Sequence, residues 1–140
     1  MDDIVSGSDS VSSCAADEVV CNLQPGDTVT LYDLLCGLLL RSGNDCGVAI
    51  AEHISGSVEA FAELMNSEAK ALGATGSHFV NPHGLHNENH YTTASDLYLI
   101  FNACIQDQRF MDIISMASYT MNLTGADGTT RTFDVVPTNY

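Results

Sequence analysis

Thr30-Leu31-Tyr32-Asp33-Leu34-Leu35-Cys36-Gly37-Leu38-Leu39-Leu40-Arg41-Ser42-Gly43-Asn44-Asp45 is the stretch whose reading decides the fold. Thr30 followed three residues later by Asp33 fits a capping box, in which the hydroxyl accepts from a first-turn amide and the acid reaches back to the cap. It predicts a helix from about Leu31 to Arg41, with Leu31, Leu34, Leu35, Leu38 and Leu39 recurring at helical spacing as its apolar stripe. Ser42-Gly43 stops that helix. Asn44 or Asp45, whose short side chains accept from unsatisfied first-turn amides, caps a second helix running to about Ile54 and ended by Gly56. Ser42 and Asn44 thereby place a hydroxyl and a carboxamide two residues apart on a tight turn at a helix N-terminus.

Downstream, Ser57 caps a third helix with Phe61, Leu64, Met65 and Leu72 on one face and Glu59, Glu63, Glu68 and Lys70 largely on the other, closed by Gly73. Residues 74–92, ATGSHFVNPHGLHNENHYT, are too broken by Gly and Pro for regular structure and too polar for core, which predicts an ordered functional loop. Thr93 and Asp96 repeat the capping-box signature and open a helix through Leu97, Ile100, Phe101 and Cys104. A shorter helix follows around Phe110, Ile113 and Ile114. Tyr119, Met121 and Leu123 alternate with polar residues, Gly125-Ala126-Asp127-Gly128 makes a turn, and Arg131 to Val135 returns, which reads as a β-hairpin. Upstream, residues 1–24 are Ser- and Asp-rich and read as loop with one or two edge strands at Ile4-Val5 and Val19-Val20. The organisation expected is therefore a single partial domain: loop and edge strands over 1–24, a helical core over 25–116 and a hairpin over 117–140. The fold class is mainly α.

Composition narrows the function. The 140 residues, 45% apolar, suffice for one core. Four Lys and Arg against eighteen Asp and Glu give a net charge of −14, which repels phosphate backbones and anionic membrane surfaces, so nucleic acid is excluded as a natural partner. The apolar runs fall short of the roughly 20 residues a bilayer span requires. Met1-Asp2-Asp3 lacks the basic start and apolar stretch of a secretory signal. Cys14, Cys21, Cys36, Cys46 and Cys104 form no C-x-x-C pair, which rules out a zinc ribbon, and their odd number leaves one thiol without an intramolecular partner. Cys36 and Cys46 lie among apolar residues and read as small buried hydrophobes. A Cys14–Cys21 disulfide is compatible with the sequence, and nothing in it argues for one. Asn122-Leu123-Thr124 spells a glycosylation sequon, of consequence only in a eukaryotic secretory pathway.

Taken alone, Ser42-Gly43-Asn44 reads as a Gly stop followed by a helix cap. The run around it says more. Pro25-Gly26-Asp27, Leu34 through Asp45, Ala51-Glu52-His53, Gly56-Ser57, Phe61 through Gly73, His78 through Leu85 and Tyr91 through Leu97 together resemble the serine D-alanyl-D-alanine carboxypeptidases, the low-molecular-weight penicillin-binding proteins. The resemblance is dense from about residue 25 to 121 and looser outside. It implies the helical lobe of the β-lactamase/transpeptidase-like fold, and a catalytic scheme of three motifs: a nucleophilic Ser in S-x-x-K, an S-x-N and a K-T-G strand. It assigns Ser42 as a proton-relay hydroxyl and Asn44 as the amide that holds the substrate backbone. His83-Gly84-Leu85 matches a loop near the cleft, which makes Gly43, His83 and Gly84 cleft-lining residues. No cofactor is implied.

The other two motifs are missing. The scheme requires two lysines and the chain has one, Lys70, followed by Ala71-Leu72 rather than Thr-Gly. Ser67-Glu68-Ala69-Lys70 spells S-x-x-K but lies after S-x-N, in the middle of the third helix, where a solvated face is the simpler reading. The expectation is an internal piece of a longer enzyme, inactive by itself. The resemblance implies that the parent works outside the cytoplasmic membrane, trims the terminal D-alanine from peptidoglycan pentapeptide stems and is acylated by β-lactams. Two other functions compete: a class A β-lactamase relative, whose S-D-N would stand in place of Ser42-Gly43-Asn44, and a non-catalytic acidic helical binding module. His83, His86 and His90, with Glu88 between, offer metal ligands in principle, but a Gly-broken loop does not force them to converge, so no metal site is expected. A helical lobe without its partner sheet should leave an apolar face uncovered, which predicts self-association, most simply as a homodimer.

Overall fold

The structure, a computed structural model, describes residues 1–138. Helix α1 (Leu31–Arg41) is its centre. Thr30 caps it as the sequence predicts, its Oγ1 accepting the Asp33 amide at 3.0 Å. One side of α1 packs on helix α2 (Asn44–Ser55), which in turn packs on α3 (Val58–Ala71). The other side carries the sheet, and helix α5 (Gln108–Ile114) closes an end. Leu34 and Cys36 are fully buried between these layers, with Ile113 and Leu40 beside them. Helix α4 (Ala94–Cys104), capped by Thr93, joins the loop after α3 to α5.

The β component is larger than the expected hairpin. Four antiparallel strands stand in the order β1 (Ile4–Ser6), β2 (Thr28–Thr30), β3 (Tyr119–Thr124) and β4 (Thr130–Val135). The hairpin β3–β4 is where the alternation placed it, with Tyr119 opposite Val135 and Met121 opposite Phe133. The helical stretch 25–116 contains a strand that the sequence reading lacked: Thr28–Thr30 pairs with Ile4–Ser6 on one side and reaches Thr124 on the other. Three residues running straight into a helix cap are too few to show a period of two, so this strand is defined by its distant partners. Val5, Val29, Met121, Leu123 and Val135 form the buried face of the sheet against α1.

One further expectation is corrected. Val19-Val20 is not a strand, because its backbone groups and those next to it bond to side chains and to α2 rather than to a neighbouring strand: the Val19 carbonyl accepts the Asn44 amide at 2.8 Å and the Val20 carbonyl accepts Arg41 Nε at 3.1 Å. On α3, Phe61, Leu64, Met65 and Leu72 share one side as expected, with Phe61 packed against the core, Ala62 and Ala69 buried, and Leu64 and Leu72 about two-fifths exposed. Alanines let two helix axes approach closely, and the larger apolar side chains are left lining an open groove with Phe79, Leu97 and Ile100. No helix among the described residues is long and apolar enough to cross a membrane.

One ion pair joins the two ends of the chain. Asp27 is buried, and its carboxylate accepts both Arg131 Nη1, at 2.8 Å, and Arg131 Nη2, as well as the Gln24 amide at 2.7 Å. Burial alone would raise the Asp27 pKa; the guanidinium and the amide outweigh it and hold the carboxyl below the usual range. Arg131→Ala should therefore cost about 2 kcal/mol in denaturant unfolding, less than a fully enclosed pair because the guanidinium side is partly solvated. A depressed folded-state pKa stabilises above the unfolded value and ceases to do so as pH falls through the folded one, so the gap between wild type and variant should close below about pH 4.

Candidate functional site

The S-x-N turn is built by an unusual helix end. Ser42 sits in the left-handed region, at φ 64° and ψ 37°, with its amide donating back to the Leu38 carbonyl at 3.0 Å. A non-glycine residue there costs on the order of 1 kcal/mol, and the conformation turns the exposed hydroxyl-bearing residue out of the α1 helix. Gly43, not Asn44 or Asp45, is the N-cap of α2, and it supplies no side-chain bond. Gly43 also has no room for one: a Cβ there would lie 2.7 Å from Cys21 Sγ. The cap expected from Asn44 or Asp45 is replaced by something tighter, because both side chains face backwards onto the segment before α1.

Asp45 is fully buried and takes three amide hydrogens. Its Oδ1 accepts from Cys21 and from its own neighbour Cys46, each at 2.9 Å, and its Oδ2 accepts from Leu23 at 2.9 Å. Asn44, also buried, donates Nδ2 to Glu18 Oε2 at 3.0 Å. The Asn44 amide holds the Glu18 carboxyl below its usual range against the effect of partial burial. Cys14 hydrogen-bonds the same carboxylate, and burial, followed by that anion, pushes its thiol up to about 11. Glu18 and Asp45 were invisible as site residues in the sequence: one lies in a Ser/Asp-rich stretch more than twenty positions from its partner, and the other reads there only as a helix cap.

The loop 74–92 is ordered by side chains standing in for a sheet. Asp96 accepts the Gly76 amide at 2.8 Å and the Ser77 hydroxyl at 2.7 Å. Asn66 on α3 accepts the Phe79 amide at 2.7 Å and donates to the Phe79 carbonyl at 2.8 Å, as a paired strand would. His90 Nδ1 accepts the Val80 amide at 3.0 Å, and Asn81 Oδ1 accepts the Gly84 amide at 2.7 Å. Gly84, at φ +88°, is the position of the His83-Gly84-Leu85 turn that needs a glycine.

His83 is half-buried and packs over α2: a Cβ on Gly47 would come within 3.5 Å of the His83 Cβ. Burial lowers the His83 pKa, with Glu18 pulling the other way and His90 adding to the decrease. The structure thus brings Asn44, Glu18 and the His83 loop together at the start of α2, with Ser42 exposed on the turn that leads into it. His86 and Glu88 remain exposed, and His90 is spent on the loop backbone. Among the described residues, the side chains close enough to share a metal ion are Cys21, Asp45 and Cys46, with none of the loop histidines. Ser67 and Lys70 are both exposed on α3, on a surface without other site residues.

Residues 1–134 match the family model described as D-alanyl-D-alanine carboxypeptidase. D-alanyl-D-alanine carboxypeptidase DacF of Bacillus subtilis is 41% identical over 100 residues, which is 71% of this chain and 25% of that protein. D-alanyl-D-alanine carboxypeptidase DacC of Escherichia coli is 44% identical over 85 residues, 61% of this chain and 21% of that one. The crystal structure of a Streptomyces DD-transpeptidase superposes with a TM-score of 0.90 at 29% identity, over 99% of this chain and 56% of that one. The chain therefore spans about a quarter of the length of these curated relatives and about half of that solved structure.

Asp45→Asn tests whether the carboxylate organises the turn. An amide offers one acceptor oxygen and turns an NH2 group toward amides that are themselves donors, so at least one buried N–H is left unpaired. The expected cost is about 2–4 kcal/mol in equilibrium unfolding, with loss of protection from hydrogen exchange at the Cys21 and Leu23 amides ahead of the sheet.

Proposed function

This chain belongs to the D-alanyl-D-alanine carboxypeptidase family, and from that premise we propose that it forms the S-x-N wall of the active-site cleft of a serine-type carboxypeptidase. The whole enzyme would remove the terminal D-alanine from peptidoglycan stem peptides, outside the cytoplasmic membrane, and be acylated by β-lactams. The observation that carries this reading is the exposed Ser42, held in a left-handed cap two residues before an Asn44 that is itself anchored.

In this reading Ser42 relays a proton between the nucleophile and the leaving D-alanine amine. Asn44 uses the amide hydrogen that Glu18 does not take to hold a substrate carbonyl. The nucleophile, its lysine and the K-T-G strand come from outside these 140 residues, which contain one lysine. His83 and Gly84 border the cleft on the α2 side. Glu18 fixes the amide orientation of Asn44, a partner that the tight turn read from the sequence did not include. Asn44 therefore also carries packing, and its replacement costs stability as well as rate.

The isolated chain should neither hydrolyse D-Ala-D-Ala peptides nor retain a fluorescent penicillin through denaturation; a stable adduct at Ser67 would overturn the reading. In the whole enzyme, Ser42→Ala should lower kcat by about 10² to 10⁴ with little change in unfolding, since the residue is exposed. Unaltered turnover in that variant would reduce S-x-N to a helix junction.

We also propose that the isolated chain self-associates through the groove between α3 and α4, a cleft of about 420 Å³ lined by Phe61, Leu64, Met65, Leu72, Phe79 and Leu97. Charge repulsion from the net −14 is screened within about 8 Å at physiological ionic strength. Light scattering should show a monomer–dimer equilibrium that moves toward dimer as salt rises. A strict monomer at high concentration and moderate salt would mean the groove stays open to water.

A further inference from the structure

Beside the S-x-N turn, and outside the cleft, lies a buried cluster of sulfur. Cys21, in the extended segment before β2, and Cys46, in the first turn of α2, have no solvent exposure, and neither has Met121 of β3. The two cysteines hang from one atom: both backbone amides donate to Asp45 Oδ1, each at 2.9 Å. Their thiol sulfurs and that carboxylate all lie within 4.8 Å of one another. Two glycines make the space. A Cβ on Gly37 would fall 2.6 Å from Cys46 Sγ and 3.1 Å from both Cys21 Sγ and Met121 Sδ, and one on Gly43 would fall 2.7 Å from Cys21 Sγ.

A metal ion does not fit this arrangement. The Asp45 oxygens are already occupied by backbone N–H groups, and the point on which the three sulfurs converge lies against the Gly37 backbone rather than in a void. Two sulfurs within 4.8 Å of each other reach bonding distance by side-chain rotation.

We propose that Cys21 and Cys46 form a disulfide by exchange with a disulfide-bearing oxidant, and that this link fastens the Glu18 segment to the helix that carries Asn44. One cysteine thiolate attacks the oxidant disulfide and releases the first oxidant thiol. The second cysteine thiolate then attacks the mixed disulfide and releases the other. Two cysteine thiols lose two protons and two electrons, and one oxidant disulfide gains them as two thiols. The Cys21 contact, together with burial, raises the Cys46 thiol well above its ordinary range, so exchange takes place while the chain folds and the sulfurs are still open to solvent. Once the core closes, the same burial shields the bond from reductants. Cys14 is not the partner of Cys21, because its thiol is turned to Glu18.

The test is to refold the reduced, denatured chain in a mixture of reduced and oxidised glutathione, then quench, alkylate under denaturing conditions and map the peptides. A Cys21–Cys46 cross-linked peptide is expected, with Cys14, Cys36 and Cys104 alkylated. The thermal midpoint should exceed that of the same chain refolded in dithiothreitol by about 10 °C, the loop-closure effect for a loop of this length. Cys46→Ala should abolish both the cross-link and the response to dithiothreitol. Since a small side chain fits that space, the variant is expected to fold, and the cross-link map of the wild type decides the matter by itself if it does not. Five alkylated cysteines after oxidative refolding, or cross-links through Cys14 or Cys104 in place of Cys21–Cys46, would overturn the proposal. None of these outcomes depends on the carboxypeptidase reading.

Discussion

Three amide hydrogens on one buried carboxylate hold the functional face together. Asp45 reaches out of the first turn of α2 and takes the N–H groups of Cys21, Leu23 and Cys46. A segment that belongs to no strand and no helix would otherwise bury unpaired amides at a cost of several kcal/mol. Because Asp45 satisfies them, residues 18–23 lie against α2 in one register, and that register places Glu18 on the Asn44 amide and the Val19 carbonyl on the Asn44 backbone. A side chain that reads as a helix cap in the sequence thus acts as a two-stranded pairing compressed into one residue.

The same economy recurs at the other long-range contacts. Asp27 ties the turn before β2 to Arg131 on β4, Asp96 ties the start of the 74–92 loop to α4, and Asn66 pairs with Phe79 as an absent strand would. Asp96 and Asn66 are short polar side chains on helices that satisfy backbone groups of an irregular segment, and Asp27 does so from within a turn, taking the Gln24 amide as well as Arg131. Helix α1, with Leu34 and Cys36 enclosed between the sheet and α2, supplies the apolar burial, and these polar side chains select which arrangement of loops that burial stabilises.

What was legible in the sequence follows from this division. The helices, their Thr30, Ser57 and Thr93 caps and the hairpin are local patterns, and they stand where spacing put them. Strand Thr28–Thr30 and the partners of Asp45 and Glu18 depend on contacts with residues more than twenty positions away, which a reading of local periods does not contain. Ser42 and Asn44 were found by the resemblance of the surrounding run, yet the feature that exposes Ser42, a left-handed backbone at a non-glycine residue, gives no sign in the composition. The α3 face was legible as a shared side, since Phe61, Leu64, Met65 and Leu72 line one groove, but periodicity does not show how deeply each residue is buried: Leu64 and Leu72 stay about two-fifths exposed while Ala62 and Ala69 are enclosed.

The electrostatics of the proposed wall bear on how a substrate would be held. A D-Ala-D-Ala peptide ends in a free carboxylate, and the face around Ser42 and Asn44 presents Glu18, kept ionised by its amide partner. The cations of the chain are engaged or exposed away from Glu18: Arg131 pairs with Asp27, Arg109 with Asp107, Lys70 lies exposed on α3, and Arg41, next to Ser42 in the chain, lies across the Phe133 ring with its Nε on the Val20 carbonyl. His83, whose charge Glu18 would favour, is pushed toward its neutral form by burial. On the proposed reading, this wall therefore meets a terminal carboxylate with the Glu18 anion rather than with a cation.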